Sequence, residues 1–169
     1  MAGVEPLLPL HLSREFGLGA QGIGIVFGVL GIFYTLFEPL MGLLSDRLGY
    51  KNVILGGLAG TAMVMPVLTI VDSLPLLYVV ICLYSLVFCA MMVPCLPLLA
   101  EHSDAGGGEN YGRQFGLANA AYSTGLLLGP AVGGLVAHYI SFLGATLVYS
   151  ALLAVPGVLV LRRYRPNRV

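Results

Sequence analysis

Three carboxylates stand inside apolar stretches or at their ends: Glu5, Glu38 and Glu101. Placing an ionisable group in a membrane helix costs roughly 2.5–3.5 kcal/mol on insertion scales, so such residues are seldom incidental. A carboxylate in that setting can hold a cation or carry a proton. Glu5 precedes Pro6, whose missing N–H leaves a helix carbonyl unpaired beside the acid. It is either a cation or proton site on a cavity wall or an acid at a helix end near the outer surface. Glu38 either pairs with a loop cation and locks a closed state or reaches past its helix end to water. Glu101 stands where an apolar stretch meets a polar loop, so solvation competes with a binding role. Asn119, Tyr122 and Ser123 share a helix face. Their polar atoms suit a hydrogen-bonded solute and suit a neighbouring helix equally.

Other chemistries find no residues. The sequence holds no Ser-His-Asp set and no metal-ligand spacing. The glycines at 106–108 lack the Gly-Lys-Ser/Thr ending of a phosphate-binding loop. Cys82, Cys89 and Cys95 fall in one apolar stretch, and three cysteines cannot all pair within the chain, so they read as small core residues. His11, His102 and His138 lie near the ends of apolar stretches and are expected at the membrane interface. A formal net charge of zero argues against a nucleic-acid partner. No enzyme activity, cofactor or metal is expected.

The elements that must carry these residues are membrane helices. The 169 residues are 58% hydrophobic and 9% charged, with mean hydropathy +0.93. A soluble domain carries roughly 25% charged residues, so this chain must be solvated largely by lipid. Its 23 glycines and 10 prolines lie inside apolar segments, as in membrane helices and unlike linkers. Residues 2–12 are too short to cross a bilayer, which takes about 20 residues, and read as the tail of a helix. Full spans are expected near 21–44, 52–71, 75–100, 112–138 and 140–161. The expected fold is an all-α membrane protein, one helical domain over 1–169 with five full spans and the end of a sixth.

Small and polar residues mark the faces of these spans. Gly24 and Gly28 permit close helix contact, as do Gly56 and Gly60. Gly31, Tyr34, Thr35, Glu38 and Gly42 fall on one side of the first span, which should face protein or a cavity. Asn52 is placed to cap the second. Tyr78, Cys82, Ser85, Cys89 and Met92 form a stripe along the third, whose end Pro94 and Pro97 should bend. Gly125, Gly129 and Gly133 make a ridge without side chains along the fourth, interrupted by Pro130, and are expected to serve helix packing.

Orientation follows from the cations. Alternating spans put Arg47, Lys51, Arg113, Arg162, Arg163, Arg165 and Arg168 on one side and leave Arg14 opposite. The cation-rich side, with the C-terminus, should be cytoplasmic.

One compact run of charge joins two long apolar segments: Gly42-Leu43-Leu44-Ser45-Asp46-Arg47-Leu48-Gly49-Tyr50-Lys51. Gly42 lets a helix approach the end of the first span, and Gly49 permits a reversal that a Cβ would strain. Asp46 lies at a helix C-terminus, where the macrodipole disfavours a carboxylate. It needs a cation or a foreign helix N-terminus, and Arg47 and Lys51 are at hand. The run resembles the Gly-x-x-x-Asp-Arg-x-Gly-[Arg/Lys]-[Arg/Lys] signature of the major facilitator superfamily of transporters. Tyr50 departs from it, since a basic residue is usual there.

Two further stretches carry the resemblance. Gly129-Pro130-Ala131-Val132-Gly133-Gly134 is similar to the Gly-Pro-x-x-Gly-Gly run of that superfamily's proton-coupled drug and amine exporters. Val4-Glu5-Pro6-Leu7-Leu8-Pro9 resembles the Leu-Glu-Pro-x-Leu-Pro run in the seventh helix of vesicular amine transporters. The resemblance covers nearly the whole chain and implies the carboxy-terminal half, from mid-helix seven to the end of helix twelve. Glu101 then takes the place of an aspartate in the tenth helix, and Asn119 replaces one in the eleventh. The implied activity is secondary transport, with proton-coupled export of a small organic or cationic solute, an amine or a drug. Such a half, set in a lipid bilayer, must pair with an N-terminal half or a second copy. The competing expectation is a non-transporting membrane fragment or subunit that binds a partner through its glycine-rich faces.

Overall fold

The computed structural model describes residues 7–105 and 111–163. Its elements are α1 (Leu7–Phe16), α2 (Ala20–Leu48), α3 (Tyr50–Val67), α4 (Leu74–Met92), α5 (Cys95–Ala105), α6 (Tyr111–Tyr139) and α7 (Phe142–Arg163). Among the described residues there is no strand. Glu5, the glycines at 106–108, Arg165 and Arg168 lie outside the described residues, as do the side chains of His102, Arg162 and Arg163.

Local chemistry sets the helix ends. Gly17, at φ +61°, stops α1 in a backbone region that other residues adopt at a cost. The α3 helix ends at Val67, because Thr69 turns its N–H (3.0 Å) and its hydroxyl (2.7 Å) onto the Pro66 carbonyl. The apolar stretch from Leu74 to Glu101 breaks at Val93 and Pro94 into α4 and α5. Pro97, in the first turn of α5, costs no helix bond, since first-turn N–H groups are free in any case. Ser141 caps α7, its hydroxyl accepting the Gly144 N–H at 2.9 Å.

By length and composition, α2, the Leu74–Glu101 stretch and α6 can each cross a membrane. At ~1.5 Å per residue, α2 and α6 outreach a hydrocarbon core of roughly 30 Å. The chain is therefore an all-α membrane protein. The core is built from Leu8 and Leu12 of α1, Val26 of α2, Val64 and Met65 of α3, and Leu77, Ile81 and Tyr84 of α4. These positions gather near the end of the bundle opposite the α2–α3 turn. The packing centre is α4: 39% of its most apolar stretch is buried, against 6% for α2 and for α6. The open faces of α2 and α6 must be covered by lipid or by another protein surface.

Helix contacts use small residues and hydroxyls. Gly57 and Gly60 of α3 receive α4: a β-carbon on Gly57 would stand 2.7 Å from the Ala90 carbonyl carbon, and one on Gly60 would stand 2.7 Å from Val87 Cγ1. The expected Gly56–Gly60 pair is thus corrected to Gly57 and Gly60, since Gly56 faces open space. The Ser85 hydroxyl of α4 donates to the Ile81 carbonyl of its own helix at 2.9 Å and lies 3.3 Å from the Leu30 carbonyl of α2, and the Cys89 thiol approaches the Tyr34 carbonyl at 3.9 Å. Between α6 and α7, Tyr149 donates its hydroxyl to the Gly129 carbonyl at 2.6 Å. Gly133 is buried and Gly129 half-buried, whereas no atom lies within 4 Å of a β-carbon built on Gly125. Pro130 lies half-buried inside α6.

Candidate functional site

The α2–α3 turn is closed by its own backbone. Gly49 sits between the helices at φ +85° and gives its N–H to the Ser45 carbonyl at 2.9 Å. The Ser45 hydroxyl bonds the Gly42 carbonyl at 2.7 Å. Asn52 does not cap the start of α3; its side-chain amide donates to the Leu48 carbonyl at 2.8 Å and so closes the end of α2. Asp46 is exposed and accepts the Tyr50 hydroxyl at 3.2 Å. This phenol lies one helical turn away across Gly49. Arg47 and Lys51 are exposed, and neither is ion-paired with Asp46 among the described residues. The Tyr50 phenol is held above its ordinary value of 10.0, first by the hydrogen bond to Asp46 and by that carboxylate's charge, with a smaller push from Glu101.

Glu101 reaches this turn from α5. Asp46, Tyr50, Lys51, Asn52, Leu98 and Glu101 line one polar cleft of about 570 Å³. Two carboxylates, each near the negative end of its own helix, therefore share the cleft with a single lysine. A β-carbon built on Gly42 meets nothing within 4 Å, so no helix among the described residues approaches there.

A second group forms farther along α2. Glu38 is exposed, and Tyr34 lies one turn before it. The Tyr34 ring tilts against Phe88 of α4 with centroids 5.8 Å apart. The Cys89 thiol of α4 lies 3.9 Å from the Tyr34 carbonyl. Tyr122 of α6 is 63% exposed, on the outside of the described bundle. Asn119, one turn earlier on α6, is exposed as well. Pro39 follows Glu38 and has no N–H for the Thr35 carbonyl four residues back. Thr35 lines a shallow open groove of about 440 Å³ with Gly28, Gly31, Ile32 and Leu36.

Sequence reasoning placed Tyr34 on a helix face without making it a centre, and it passed over Glu38-Pro39. The available signal was the repetition of the Glu5-Pro6 dipeptide at 38–39. The structure brings Glu101 and Asp46, residues far apart in the chain, to one cleft. Among the described residues, no three His, Cys, Asp or Glu side chains gather as a metal site.

The sequence model of the Major Facilitator Superfamily matches residues 1–169. The chain belongs to the major facilitator superfamily. It is 30% identical over 151 residues to the MFS-type transporter SLC18B1 of Rattus norvegicus, covering 82% of this chain and 33% of that protein. It is 33% identical over 152 residues to the class G tetracycline resistance protein of Vibrio anguillarum, covering 86% of this chain and 37% of the relative. A local match to the raffinose permease of Escherichia coli is 48% identical over 52 residues, which is 31% of this chain and 12% of the permease. The chain spans about a third of the length of the curated relatives it matches. Membership in this superfamily makes it an integral, multi-pass membrane protein of a transporter family, and not an enzyme.

Proposed function

We propose that this major facilitator chain acts as the C-terminal half of a secondary active transporter that exports a small organic or cationic solute, an amine or a drug, in exchange for protons. The observation that carries the reading is Glu38, an exposed carboxylate one turn from Tyr34 inside a helix of membrane length, on a face left open by the described chain. Alternating access needs two halves around a midplane site. An N-terminal half or a second copy, facing this surface, encloses the pathway. Glu38 holds either a cation or a proton, and that mutual exclusion is what exchange requires. Tyr34 and Tyr122 offer aromatic faces to a cation and hydroxyls to a polar group, and Asn119 adds an amide. Glu5 precedes a proline as Glu38 does, and serves the same chemistry.

Gly42, Asp46, Arg47, Gly49 and Lys51 form the cytoplasmic gate, and Glu101 joins them across the cleft. The cation-rich side and the C-terminus face the cytoplasm. Relatives are named for solutes as unlike as tetracycline and raffinose, so the solute class rests on Glu38 and its tyrosines. A second reading draws on Gly24, Gly28 and Gly31, where a β-carbon would meet no other helix among the described residues within 4 Å. That bare strip suits a partner helix and makes the chain a non-transporting subunit. Reconstitution separates the two. Joined to an N-terminal half in liposomes, the chain drives saturable uptake of an organic cation under a pH gradient; absence of uptake there refutes the transport reading.

A further inference from the structure

Tyr50 occupies a place in the turn where the superfamily signature carries a cation. We infer that Tyr50 is a positioning residue for Asp46: its hydroxyl holds the carboxylate against its own turn, in competition with the contact that clasps the cytoplasmic gate. The inference rests on the reading of Asp46 as a gate residue, and deepens it by naming what regulates that acid.

The geometry of the turn carries it. The Tyr50 hydroxyl is 3.2 Å from Asp46 Oδ1, and the reversal at Gly49, φ +85°, brings the two side chains to the same side of the turn. Asp46 stands near the negative end of α2, with the carboxylate of Glu101 in the same cleft. Arg47 and Lys51 leave it without an ion pair among the described residues. The turn is exposed, so a neutral donor there contributes a weak, releasable bond where an arginine fork would bind the carboxylate bidentately. The phenol titrates above its ordinary range, so it keeps its donor proton at neutral pH. An acid destabilised by a helix dipole and a like charge gains most from an incoming cation or helix N-terminus. Until that partner arrives, Tyr50 is what occupies it.

The experiment uses a complete transporter containing this chain, with Cys82, Cys89 and Cys95 replaced by serine. Thr35→Cys, exposed on α2, reports access from the cytoplasm through its rate of labelling by an impermeant thiol reagent. Asp46→Asn raises that rate. Tyr50→Phe frees the carboxylate to clasp and lowers the rate about two- to fivefold, the weight of one exposed hydrogen bond. The double variant behaves as Asp46→Asn alone. An unchanged rate in Asp46→Asn overturns the gate reading itself. A raised rate in Asp46→Asn with an unchanged or raised rate in Tyr50→Phe overturns only the role of Tyr50. Failure of Tyr50→Phe to fold shows a structural duty and likewise removes the inference.

Discussion

Gly57 of α3 lies against the peptide that joins Ala90 to Met91 of α4, where a β-carbon would stand 2.7 Å from Met91 Cα. Backbone atoms cannot swing aside as a flexible side chain can. Gly57→Ala should therefore force α3 and α4 apart and destabilise the bundle by about 1–3 kcal/mol, as overpacking does. Gly56→Ala adds its methyl to open space and should be neutral or mildly stabilising, since alanine is the better helix former. Thermal unfolding of the two variants in detergent gives the comparison. Equal effects would contradict the packing described for this face.

Tyr149 ties α7 to the glycine-rich part of α6 through its 2.6 Å bond to the Gly129 carbonyl. Tyr149→Phe keeps the ring and removes the donor. Hydrogen bonds between membrane helices contribute about 0.6–2 kcal/mol, so the variant should lose stability within that range and stay helical. Chemical denaturation in mixed micelles, followed by circular dichroism, measures it.

Tyr50 should titrate above 10.0 in the folded chain, and Asp46→Asn should bring it down toward the ordinary value. Glu101→Gln should lower it less, since Glu101 acts only through charge across the cleft. A phenol whose pKa is raised by folding adds stability that is complete below the unfolded value. That stability is lost as pH climbs through the folded one. The turn should thus be unaffected between pH 6 and about 9 and loosen only in stronger alkali. Carbon-13 labelling of tyrosine, with Tyr50→Phe to assign the resonance, follows the titration.

Much of the fold was legible, for reasons specific to certain residues. Apolar runs of membrane length gave the helices, and Gly49 gave the reversal, because lipid forbids unpaired backbone and a left-handed turn favours glycine. The end of the second span was not legible, because Thr69 competes for the Pro66 carbonyl with two donors at once. The glycine pairing was ambiguous because residues three and four apart both share a helix face. Spacing favoured Gly56 with Gly60, and α4 sits on Gly57 with Gly60. The meetings of Glu101 with Asp46 and of Tyr149 with Gly129 depend on how separate helices pack, which no local pattern encodes.

Orientation is tested by single cysteines in the serine background. Leu48→Cys, beside the Asp46 turn, should label from the cytoplasm, and Leu18→Cys, between α1 and α2, from the opposite side. Labelling of both from one side would remove the span between them.

The open face of Glu38 is where the proposed exchange takes place, and one substitution isolates it. Glu38→Gln preserves shape and abolishes charge. In proteoliposomes holding a complete transporter that contains this chain, uptake of a labelled organic cation under an imposed pH gradient should fall at least tenfold in Glu38→Gln. Tyr122→Phe, which keeps the aromatic face, should fall by less. Uptake in Glu38→Gln equal to that of the unaltered transporter, with the same dependence on the pH gradient, would contradict the account.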